Sequence, residues 1–210
     1  MNVLRKILTV PVLALALITG AAADPALAAD RGADGIGMVL AVEGAAEAVR
    51  GGSRLALKVR DRLREKDTVV TGAGAKLQIL LDDDTSITMG AESSLEMREF
   101  SNAPENARFS AHIPRGRMRI ITGETTERNP DGFRLTTRHA TVGIRGTVLT
   151  LETNDDFTSV NVNNSDKTVI VNGTPVPEFY RAVIMPGGNV PQITPLPSGE
   201  REGDGELSTA

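Results

Sequence analysis

The sequence predicts an all-β protein of many short strands, and three observations predict it. From Ile36 to about Ile184 the apolar residues fall in short runs, many alternating with polar ones. Gly, Asn or Asp separates the runs. No stretch sustains helical periodicity. The runs recur every ~8 to 12 residues, which suits a sandwich, a barrel or a β-solenoid. No exact repeat chooses among these.

Taken in chain order, the first strand is Gly37 to Val42, an apolar run after a glycine, and the second is Arg54 to Lys58, which follows Gly51-Gly52. Thr68 to Thr71 is wholly β-branched. Lys76 to Leu81 and Thr85 to Met89 alternate on either side of Asp83-Asp84, a pair suited to a tight turn because Asp tolerates positive φ. The Asp82–Asp84 triplet reads as that turn rather than a calcium loop, since TSITM after it supplies no further ligands at the required spacing. Ser94 to Arg98, Arg117 to Thr122 and Phe133 to Thr137 alternate in the same way, as do Thr147 to Thr153 and Thr158 to Asn163. Lys167 to Val171 and Glu178 to Ile184 complete the set. Beyond Met185, Pro and Gly recur every few residues and acidic charges gather at the end, so residues 186–210 are expected to be a disordered tail.

The other end reads as an export leader. Arg5 and Lys6 precede the run ILTVPVLALALI, and Ala26-Leu27-Ala28 has the small-x-small spacing of a signal-peptidase site, so cleavage is expected after Ala28. Residues 29–35 would be a short linker and 36–185 the folded domain. No later segment approaches the ~18 to 20 apolar residues of a spanning helix, so no transmembrane helix is expected in the mature chain. Loss of Arg5, Lys6 and Asp24 leaves 21 basic and 26 acidic residues, a net charge of −5, which disfavours a nucleic-acid partner. There is no cysteine, hence no disulfide or thiolate metal site.

Catalytic chemistry finds little support. His112 and His139 lie far apart with no metal or nucleophile motif beside either. Gly72 to Lys76 lacks the Walker spacing and leads into a strand, and no G-x-S-x-G occurs. No cofactor is implied. With no Trp and Tyr180 the single tyrosine, the stacking platforms used for neutral glycans and unpaired bases are missing too.

One charge pattern rises above background. In KVRDRLREK, Lys58, Arg60, Arg62, Arg64 and Lys66 stand at every second position and would share one face of a strand. Arg115, Arg117 and Arg119 repeat the spacing, and Arg134 and Arg138 are placed similarly. Aligned, these rows would attract polyanions or an acidic partner; otherwise they are solvated edges that discourage strand pairing.

HATVGIRGTVLTLE holds the sharpest local feature, an apolar β-branched run broken by Arg145-Gly146-Thr147. Gly143 and Gly146 mark places where the backbone can bend or be approached closely. The preferred reading is a corner, with Arg145 hydrogen bonding strand-end carbonyls, so that Arg145→Ala lowers the melting temperature; the alternative is direct ligand contact.

Several of these residues carry a resemblance. Thr71-Gly72-Ala73-Gly74-Ala75 leading into LQILLDDDTSITMGAESSLEM resembles the front half of a FecR domain. GRMRIITGE followed by FRLTTRHATVGIRGT resembles its back half, the likeness covering about residues 36 to 175. Two positions depart from the pattern: Asp84 stands for the Gly of D-G-S, and Arg138 for the Pro of T-P. The resemblance implies a β-rich, solenoid- or roll-like domain beyond the inner membrane with no catalytic residues. It also implies a role in signalling through a protein partner of the envelope, in the periplasm or at the cell surface. The regulators that gave the family its name add a cytoplasmic anti-sigma segment. With six residues ahead of the hydrophobic run, this chain is expected to be the exported module alone. A structural envelope protein that holds anionic polysaccharide or lipopolysaccharide phosphates on its basic rows is the second expectation.

Overall fold

The computed structural model describes residues 35–165 and 168–201. The expected leader and most of the linker, together with residues 202–210, lie outside the described residues.

The described chain is dominated by seventeen strands in one hydrogen-bonded sheet. That sheet has two limbs. The first contains β1 (Gly37–Glu43), β4 (Arg62–Leu63), β6 (Lys76–Leu81), β7 (Ser86–Met89), the second half of β9 (Arg108–Ile121), β12 (Thr147–Thr153), β13 (Thr158–Ser165), β16 (Tyr180–Ile184) and β17 (Gln192–Pro195). They pair in the order β4-β1-β6-β7-β9-β12-β13-β16-β17, every neighbour antiparallel. The second limb contains β2 (Ala46–Arg50), β3 (Ser53–Ala56), β5 (Thr68–Thr71), β8 (Ser94–Ser101), the first half of β9, β10 (Phe133–Thr137), β11 (Thr141–Gly143), β14 (Val169–Val171) and β15 (Thr174–Val176). Here the order is β3-β2-β5-β8-β9-β10-β11-β14-β15, with β9–β10 the parallel pair. The chain therefore passes to and fro between limbs, a roll-like winding. One short helix, α1 (Glu124–Arg128), follows β9.

Strand β9 joins the limbs because its inward face changes parity. Phe109, Ala111 and Ile113 point into the core from its first half, but Met118 and Ile120 do so from its second. The switch falls at Gly116, whose φ of +111° is open to glycine and strained for other residues. A Cβ there would also lie 2.2 Å from Ser93 Oγ. Inward side chains of both limbs, among them Leu77, Ile79, Leu95, Met97, Phe109 and Val160, form one buried cluster. At about 1.5–3 kcal/mol for each fully buried large apolar side chain, that cluster is the main favourable term in folding.

The strand expectations hold in most places and depart in physically readable ones. β2 was not expected, because Glu47 and Arg50 dilute its apolar pattern. The row Lys58 to Lys66 is not one strand: β4 covers two residues, and Arg60 (φ 74°) and Lys66 (φ 67°) sit in tight turns. Asp61 closes the first turn by accepting the Lys58 N–H at 2.8 Å. Order continues past 185, where β17 pairs with β16 and Leu196 is buried, because Ile193 and Leu196 supply apolar contacts despite the flanking prolines.

Candidate functional site

The residues that stand out in the sequence are mostly engaged in holding the roll. The Thr71 hydroxyl donates to the Gly90 carbonyl (2.6 Å) and accepts from the Ser93 N–H (2.9 Å), fastening β5 to the turn before β8. Ser93 Oγ in turn accepts from the Arg117 N–H at 3.1 Å. Asp83, fully buried at the β6–β7 turn, accepts from the Thr85 N–H (3.1 Å), the Thr85 hydroxyl (2.9 Å) and the Thr125 N–H of α1 (3.4 Å). Asp84 takes the left-handed conformation at φ 64° that the turn requires. Thr137 and Thr153 each hydrogen bond the Thr158 hydroxyl at 2.8 Å, a buried chain of three threonines linking the limbs.

The Arg145 segment is a corner. β11 ends at Gly143 in the second limb and β12 begins at Thr147 in the first, with Gly146 at φ 87° between them. Ile144 is buried, and the Thr147 N–H donates to the Thr122 hydroxyl at 2.9 Å. Arg145 departs from the expected role: its guanidinium bonds the Asp131 carboxylate at 2.6 Å, not strand-end carbonyls. The corner is shaped by the backbone, and the arginine lies outside it.

The basic residues do not form one band. Arg62 makes two bonds to Asp82 (2.9 and 2.6 Å) and one to the Gly35 carbonyl (2.7 Å), and the Asp82 hydrogen bonds raise its pKa. Arg64 is half-buried, and Lys58, Arg60 and Lys66 are exposed at the turns. Arg115 is exposed on the second limb, just before the parity switch that places Arg117 and Arg119 on the outer side of the first. Arg134 is exposed on β10, and Arg138 pairs with Asp155 at 2.7 Å. Both histidines are half-buried, His112 bonded to the Thr136 hydroxyl (3.1 Å) and His139 to the Asn154 carbonyl (3.0 Å). Among the described residues no three His, Cys, Asp or Glu gather as a metal site, and no helix is long and apolar enough to cross a membrane.

What the register does assemble is a polar row across the outer side of the first limb. Thr88, Arg119, Thr150, Asn161, Arg181 and Thr194 are successive cross-strand partners on β7, β9, β12, β13, β16 and β17. Beside the row lies a groove of about 370 Å³, lined by Arg117, Glu152 and Glu200 as well as Thr150, Asn161 and Arg181. Arg181 Nε donates to Asn161 Oδ1 at 2.9 Å, and its Nη2 bonds the Glu200 carboxylate. Asn163 donates from Nδ2 to the Glu200 carbonyl at 2.8 Å. Sequence reasoning found Arg117 and Arg119 but missed Asn161, Asn163, Arg181 and Glu200, which come together only through strand register and the C-terminal turn. It also missed the buried pair Arg50–Asp67, two bonds of 2.8 Å with Asp67 fully buried.

Comparison with known proteins adds the following. Residues 67–166 match a family model described as FecR protein. No curated protein matches. Two crystal structures of a candidate anti-sigma factor from Parabacteroides distasonis are similar at 12% identity and a TM-score of 0.47. Each match covers 63% of this chain and 61% of that one, so this chain spans under two thirds of that protein's length.

Proposed function

With residues 67–166 a FecR domain, we propose that the protein is an exported, non-catalytic module of the cell envelope that relays a signal by binding a protein partner. The family match is the observation that carries this reading. The location of the motif residues supports it: Thr71, Asp83, Ser93 and Thr147 are engaged in internal hydrogen bonds, which suits a scaffold whose surface is read by another molecule. Export rests on the leader pattern of the sequence, with its basic start and Ala26-Leu27-Ala28. Attachment to anionic polysaccharide draws less support, because the basic rows fall on separate turns and opposite limbs. Crosslinking in intact cells followed by identification of the captured species tests the proposal. A specific envelope protein is the expected catch, and recovery of polysaccharide alone would overturn it.

A further inference from the structure

Resting on that reading of a protein partner, we infer that the groove on the outer side of the first limb is a binding site for an acidic peptide segment, occupied here by Glu200 of the chain's own C-terminal turn. Thr88, Thr150, Asn161 and Asn163 are all less than 10% exposed although they face away from the core. Buried polar groups outside a core need partners, and here they form a floor: the Thr150 hydroxyl donates to Asn163 Oδ1 at 3.3 Å, and Asn161 holds Arg181. On that floor Glu200 is recognised at two points, its carboxylate by Arg181 and its main-chain carbonyl by Asn163. Such a combination suits a peptide, which carries a main-chain carbonyl beside each Glu carboxylate, better than a simple uronic acid, which has no amide carbonyl.

Glu200 does not exhaust the site. Arg119, between Thr88 and Thr150 in the row, has a buried Nη1 with no hydrogen-bond partner among the described residues. Arg117 and Arg181 line the groove with Glu152 and Glu200, and Arg119 stands in the adjoining row. The resident turn is lightly held. Its ion pair leaves both side chains about a third exposed (33% and 34%), and beyond the Asn163 bond to the Glu200 carbonyl its ties include buried Leu196 and Arg201 stacked 5.6 Å from the Phe179 ring. A partly exposed pair of this kind contributes little, so a better ligand can displace it.

The test uses the full-length chain and a labelled peptide LPSGERE, the copy of residues 196–202, read by fluorescence anisotropy beside its Glu-to-Gln counterpart. Glu200→Gln is expected to bind LPSGERE about tenfold more tightly than the wild type, because the tethered competitor has lost its carboxylate. The Gln peptide should bind neither. Arg119→Met should weaken LPSGERE about fivefold with little fall in melting temperature, since its buried Nη1 has no hydrogen bond to lose in the free protein. Equal binding of the two peptides, or Glu200→Gln binding no better than wild type, would overturn the inference, as would polygalacturonate binding where the peptide does not. Peptide binding in vitro with no protein captured in cells would preserve this site and sink the proposed partner. Capture of a protein that leaves LPSGERE inert would do the reverse.

Discussion

At the scale of single residues, stability turns on positions the sequence makes inconspicuous. Asp67 ends a run of charges and reads as solvated, yet it is fully buried against Arg50 and also accepts the Arg64 N–H at 2.8 Å. Asp67→Ala would leave a largely buried guanidinium without its carboxylate, a loss of about 3–5 kcal/mol, measurable as a lower urea midpoint at unchanged slope. Gly116→Ala is expected to be at least as damaging, because it adds a clash with Ser93 to backbone strain of about 1–3 kcal/mol. Arg145 is the instructive opposite. Its pair with Asp131 is exposed (40% and 81%), so Arg145→Ala should cost less than about 1 kcal/mol and leave the melting temperature nearly unchanged. The motif made the corner legible, but the target of the arginine depends on where the loop before β10 lies, which no local pattern encodes.

At the scale of elements, legibility followed alternation. β6 and β7, with Leu77, Ile79, Ile87 and Met89 inward, could be read directly together with their Asp83-Asp84 turn. The first half of β9 carries a similar pattern in Phe109, Ala111 and Ile113, but His112 and Pro114 within RFSAHIP obscured it. β17 escaped notice because Pro191 and Pro195 bracket it, and proline is tolerated there since one side of an edge strand has no partner to bond. Its anchor is Leu196, whose N–H donates to the Phe179 carbonyl at 2.7 Å. Leu196→Ala should therefore release the C-terminal turn locally. Hydrogen exchange would show lost protection at Leu196 and Ile193, with the amides of β12 unchanged. Loss of protection throughout the first limb would mean that the segment is part of the cooperative core.

At the scale of the whole molecule, the sequence reads as short strands without saying how they close. The alternation of limbs depends on pairings distant in the chain, such as β1 with β6 and β9 with β12, and the polar row exists only once those registers are set. The proposed binding surface is accordingly a product of topology: residues from β9, β12, β13 and β16 meet there, and only those of β9 stand in a motif legible in the sequence. The most direct test places a photo-crosslinking residue at Ser159, in the groove, or at Arg54, on edge strand β3 of the other limb, and irradiates intact cells. A binding module that works through the first limb captures a specific envelope protein from Ser159 and not from Arg54, and loses it when Arg181→Met is added. Capture from Arg54 alone, or from neither position, would contradict the account.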